Sequence, residues 1–178
     1  MTSVTPEPAG PGALAVTPSR RGWRITTYTV MLAVLLGVVG WVSTHPDPLA
    51  TADKPVQAET PVGQPVYVGV FAAPADFDRA LHLAGVHVFA TSSAAVTIVP
   101  HVCHGGSVNV TTIPDSFCRE LGPTEDARFE SGDAIVLEVV SDVPAVVAID
   151  RIRVAYRDGL QWATQDAGEP AVVSVLAR

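Results

Sequence analysis

From Ile25 to Pro46 the chain carries no Asp, Glu, Lys or Arg. Its centre, VMLAVLLGVVGWV (Val30 to Val42), is almost purely apolar. No polar stripe interrupts the run, so it cannot be one face of an amphipathic surface helix. A helix over 25–44 approaches the ~20 residues that cross a bilayer core of ~30 Å. Trp23 and Trp41 fall near its two ends, where aromatic rings favour the headgroup region. Arg20, Arg21 and Arg24 precede the run, and the next basic residue is Lys54. The bias of Lys and Arg toward the cytoplasmic side predicts a single-pass signal-anchor with its N-terminus inside and its C-terminus outside the cell membrane. The competing reading is a cleaved signal peptide, for which ATA at Ala50–Ala52 is a small-x-small cut site. The apolar run is longer than an ordinary signal core, and a retained anchor is the stronger expectation.

The segments on either side differ in kind. Residues 1–24 hold four prolines and no apolar periodicity, which predicts a disordered cytoplasmic tail. Residues 45–64, HPDPLATADKPVQAETPVGQ, read as a Pro-rich extended stalk. The net charge of −7 is uneven: from His45 onward there are 8 basic and 17 acidic residues. An acidic outer part excludes nucleic acid as an expected partner, because backbone binding needs clustered Lys and Arg. Lys54 is the only lysine among 11 basic residues, and Ala, Val, Gly and Pro abound, a bias that GC-rich bacterial genomes write.

From 65 to 178 the pattern is short Val- and Ile-rich runs separated by Gly, Pro and Asp. Candidate strands are 65–71, 79–90, 95–103, 107–112, 134–140, 145–150, 151–156, 160–164 and 171–176. Such spacing predicts an all-β extracytoplasmic domain, a β-sandwich of immunoglobulin-like or jelly-roll-like type. The join at Asp150–Arg151 reads as one long strand or a bulged corner, and a short helix is expected only within 114–121. His82 and His87, five apart on one strand, are expected on opposite faces.

Both cysteines lie in HVCHGGSVNVTTIPDSFC, His101 to Cys118. Outside the membrane an even pair becomes a disulfide, and closing Cys103 to Cys118 stabilises by roughly 3 kcal/mol in the chain-entropy model. The alternative is a zinc or copper site of His101, Cys103, His104 and Cys118, used for metal binding or sensing. Its spacing departs from the paired C-x₂₋₄-C and H-x₃₋₅-H of structural zinc sites, so the disulfide is favoured and no cofactor is expected. Acidic pairs at Asp76/Asp78 and Glu125/Asp126 lack the run of ligands a calcium loop needs.

RIRVAYRDGLQWATQ (151–165) is the most patterned stretch of the outer part. Ile152, Val154 and Tyr156 share one face and Arg151, Arg153 and Arg157 the other, and Asp158-Gly159 signals a hairpin turn. A two-residue turn at Asp158-Gly159 places Trp162 with the arginines; a three-residue turn slips the register and buries it, the commoner fate of Trp. Arg151, Arg153, Arg157 and Trp162 are the candidate binding surface, suited to a glycan or an anionic group. No G-x-S-x-G, H-E-x-x-H or phosphate-cradling loop occurs. The expectation is therefore a non-catalytic envelope module that binds a protein, glycan or cell-wall partner.

Overall fold

The computed structural model describes the backbone of residues 20–44 and 46–177, and the side chains of 27–41 and 46–177. The expected tail lies outside the described residues as far as position 19. The chain divides into two compact units between Val42 and Ser43.

The first unit is a helix, α1 (Arg20–Thr44). Tyr28, Met31, Leu35, Leu36, Val39 and Trp41 are all exposed, so its apolar side chains are uncovered on every side. The membrane-spanning helix expected at 25–44 is not established by these residues: among the described residues no helix is long and apolar enough to cross a membrane. The side chains described cover 27–41, short of the ~20 apolar residues a span requires.

The second unit is mostly β. Its strands are β1 (Val56–Pro61), β2 (Val66–Ala72), β3 (Leu81–His87), β4 (Ala90–Ser92), β5 (Thr97–His104), β6 (Val110–Thr111), β7 (Glu120–Pro123), β8 (Arg128–Phe129), β9 (Ala134–Val140), β10 (Ala145–Ile149), β11 (Ile152–Asp158), β12 (Gln161–Ala167) and β13 (Ala171–Leu176). They form three sheets, ordered β6-β2-β9-β5-β7, β1-β13-β10-β4 and β12-β11-β3-β8. The last two are continuous. β3 runs on into β4, β10 into β11 and β12 into β13, each changing sheet across a break of two or three residues. Asp150–Arg151 is therefore a corner, where the Asp150 N–H donates to the Phe89 carbonyl across the matching break in the neighbouring strand (2.8 Å). The result is a sandwich-like arrangement with one layer bent.

The core lies between the layers. Val66, Val68 and Val70 from β2, Ile135, Leu137 and Val139 from β9, and Val102 from β5 meet Leu81, Leu83, Val147, Ile152, Val154, Tyr156 and Val173. Phe129 is fully buried, stacked on Phe71 at 5.5 Å and edge-on to Phe77 at 6.0 Å. Apart from Glu138, the run AIVLEVV of β9 is apolar on both faces because its strand is central and Ala134 and Val136 on its outer face are covered too. A bulge at Val70 frees that residue's carbonyl to accept the Glu169 N–H from the opposite layer (2.8 Å). Gly168 sits against the same carbonyl at φ 75°, and a Cβ there would lie 2.0 Å from it.

Three expectations are corrected. The stalk expected over 45–64 is not an extended linker in its described residues, 46–64. Leu49 is buried, Thr51 bridges Gly168, and β1 pairs in parallel with β13 from Val56↔Ala171 to Pro61↔Leu176. The buried alternation Val56, Ala58, Thr60 was masked by flanking prolines, and Pro61 ends an edge strand, where it costs little pairing. The helix expected within 114–121 reduces to a 3₁₀ turn at Pro114–Ser116, since Glu120 and Leu121 pair with β5 instead. His82 and His87 face the same side. Leu83 pairs with Tyr156 but Gly85 with Ala155, so Ala84 is an extra residue that reverses the alternation.

Candidate functional site

The His101–Cys118 stretch resolves into a clamp. Cys103 and Cys118 form a disulfide, with Cα atoms 5.2 Å apart. This overturns the zinc or copper alternative, because both thiolates are consumed. The loop from Gly105 to Cys118 folds back over the outer face of the five-stranded sheet. There Cys103, Cys118 and Val108 pack on Ala134 and Val136, with Tyr67 and Leu121 at the margin. Two glycines allow the close approach. A Cβ on Gly69 would meet the Val108 carbonyl at 1.7 Å, and one on Gly106 the Phe117 carbonyl at 1.9 Å. The Gly69 N–H donates to the Asn109 carbonyl (2.9 Å), tying the loop to β2.

The two histidines of the motif go to separate partners. His101 Nε2 lies 2.9 Å from Glu138 Oε2, beside the Tyr67 ring. Burial, then the Glu138 carboxylate, raises the Tyr67 phenol above its ordinary pKa. His104 Nδ1 lies 3.2 Å from the buried Asp133, whose carboxylate also accepts the Gly105 N–H (2.9 Å) and the Glu130 N–H (3.0 Å). Asp133 therefore organises two turns through backbone donors. Sequence reading missed Glu138 and Asp133; the lone carboxylate inside an otherwise apolar β9 was the available signal for the first. Among the described residues, no three His, Cys, Asp or Glu side chains are grouped to hold a metal. A cleft of about 720 Å³ beside the loop is lined by Lys54, Gln57, Ser107, Asn109, Glu169 and Phe71 among others, with no histidine or cysteine.

The candidate surface on the β11–β12 hairpin is brought together in part. Arg157 pairs with Trp162 and Asp158 with Gln161, so the turn residues are Gly159-Leu160, not Asp158-Gly159. Gly159, at φ 57°, takes the first central position, the one that a II′ turn assigns to glycine. This register leaves Trp162 69% exposed, against the expectation that it is buried. Inward Val154 and Tyr156 fix the parity, and their cross-strand neighbours are Gln165 and Ala163 rather than Trp162. The Arg157 guanidinium lies 5.8 Å from the Trp162 ring centroid. Across β3 the row continues through His82 to Arg128 on β8, all exposed. A second row joins His87 and Arg153 to Asp166, with Arg153 Nε bonded to Asp166 Oδ1 (2.8 Å) and stacked over Phe89. That contact holds the Asp166 carboxyl below its ordinary pKa. Small residues, Gly85 and Ala155, separate the rows. Arg151 is not part of this face: the corner turns it toward Asp53 and the Ala52 carbonyl. No family model matches the chain, and no curated protein matches it.

Proposed function

We propose that the protein is a single-pass, N-in/C-out membrane-anchored module whose outer β-domain binds a partner and performs no catalysis. The carrying observation is the pairing of a helix with apolar side chains exposed all round and a β-unit whose own core is complete. The backbone of α1 runs 25 residues, about 37 Å at 1.5 Å per residue, against a hydrocarbon core of ~30 Å. Arg20, Arg21 and Arg24 stand at its N-terminal end and an acidic unit follows it, which supports the orientation.

Cleavage after Ala52 is disfavoured by the fold. It would remove Leu49 from the core and the Ala50 carbonyl from the Gly168 N–H (2.9 Å). The binding surface is the outer face carrying Arg153, Arg157, Trp162, His82 and His87, whose exposed Trp with a flanking cation suits recognition more than stability.

The test is alkaline extraction of membranes containing the full chain, with protease added from either side. Retention after extraction, with the β-unit cut only from outside, is the expected result. Release into the soluble fraction would refute the anchor, and cleavage from inside only would refute the orientation.

A further inference from the structure

The hairpin tip ends in two apolar side chains that the core does not use. Leu160 is 95% exposed, the most exposed large apolar side chain of the described residues, and Trp162 follows two positions later. Isolated exposed leucines are unremarkable. This one adjoins a Trp and an Arg at a turn, a composition suited to a bilayer interface: an apolar point, an amphipathic ring and a cation for lipid phosphates.

The position of the tip within the β-unit selects this occupant. The chain enters the unit alongside β12. Thr51 bridges Gly168 in parallel, the Leu49 N–H donates to Gln165 Oε1 (3.0 Å), and Gln165 Nε2 donates to the Pro46 carbonyl (3.4 Å). Because the segment runs parallel to β12, tracing it backward from Thr51 to Pro46 leads toward the β11–β12 turn. Arg79 fixes the same end: its Nη1 donates to the Asp47 carbonyl (3.1 Å) and lies 3.9 Å from Asp158 Oδ2, next to the turn. The end of the unit that receives the tether is the end that carries Leu160 and Trp162.

We infer that the β11–β12 tip is a membrane-contact finger, with Leu160 and Trp162 entering the headgroup region of the outer leaflet and Arg157 meeting lipid phosphate. This rests on the anchor reading and names the partner of the hairpin end of the candidate surface. The lipid contact fixes the roll and tilt of the β-unit on the bilayer, leaving the His87–Arg153–Phe89 row on the side away from the turn.

The chain has three tryptophans, so Trp23→Phe/Trp41→Phe leaves Trp162 as the single reporter. This full-length variant is reconstituted into phosphatidylcholine/phosphatidylglycerol vesicles, with and without brominated acyl chains. Its retention after alkaline extraction is scored on the same sample. The expected result is loss of Trp162 emission with brominated lipid, protection from aqueous iodide, and reversal of both by Leu160→Asp. Retained protein with unquenched, iodide-accessible Trp162 overturns the finger and leaves the anchor standing. Protection from iodide that rises with protein density, without bromolipid quenching, overturns it in favour of a second copy. Protein that leaves the vesicles on extraction overturns both readings.

Discussion

Removing the Cys103–Cys118 cross-link tests whether the outer loop is a stapled part of the fold. The bridge encloses a loop of 15 positions in sequence separation. Loop closure of that length removes about 3 kcal/mol of unfolded-chain entropy. The native loop does not depend on the bridge alone. Cys103↔Leu121 and His104↔Glu120 pair β5 with β7, the Arg119 N–H donates to the His104 carbonyl (2.9 Å), and Gly69 holds Asn109. The double change Cys103→Ala/Cys118→Ala should therefore preserve the folded geometry and act on the unfolded chain, lowering stability by about 3 kcal/mol. Two buried sulfur-sized gaps in the small cluster with Val108 add to that cost. Urea unfolding of the full chain in detergent, followed by the β circular-dichroism signal, reads the change. The reduced wild-type chain, which keeps both sulfurs in place, should lose only the cross-link contribution and so somewhat less than the variant. A loss under about 1 kcal/mol would refute the argument, since it would mean the unfolded chain gains little freedom when the bridge is cut. Amide exchange localises the effect: protection should fall first at 105–118 and last at β9.

Three further outcomes follow from single residues. Gly168→Ala meets both a left-handed backbone and the Val70 carbonyl, and should cost at least about 2 kcal/mol in the same unfolding assay. Asp133→Ala leaves the Gly105 and Glu130 N–H groups without their acceptor and should cost about 2–4 kcal/mol, while Asp133→Asn, which keeps an acceptor oxygen, should cost less. Burial raises the Tyr156 phenol above its ordinary pKa, opposed by the Arg79 guanidinium, and its hydroxyl has no hydrogen-bond partner among the described residues. Below the unfolded tyrosine value of about 10 both states are protonated; above it the unfolded chain ionises first, so stability falls as pH rises until the folded pKa is passed. Tyr156→Phe should be neutral or stabilising at pH 7 and should flatten the alkaline decline; an unchanged decline would assign it to other groups.

Where one strand face is buried, alternation made the element legible. β9 and β13 occupy 134–140 and 171–176 as read from sequence, and β2 is shifted by one residue. The disulfide was readable because only two cysteines exist, and the outward orientation expected from the sequence implies oxidising surroundings for them. Other features depended on contacts invisible along the chain. The alternation of β1 is too short and too proline-flanked to outweigh a stalk-like composition until β13 supplies its partner. The Ala84 bulge turns His87 to the side of His82 because β11 continues straight past it, and nothing local to HLAGVH marks which residue is extra. Trp162 was misjudged from the general tendency of Trp to be buried; what decides it is where Gly159 falls in the turn.

The parallel pairing of β1 with β13 also sets how the domain responds to tension. Val56 and Ala171 lie at one end of the pair and Pro61 and Leu176 at the other. A pull through the segment before Val56, opposed by a load on the chain beyond Leu176, draws the two strands in opposite directions along their own axes. The six paired positions are then strained together in shear instead of being peeled apart one after another. If the N-terminal segment is the tether, the strand behind it doubles as a mechanical latch: once the Leu49 and Thr51 contacts give way, force must break the whole β1–β13 ladder before it reaches the rest of the core.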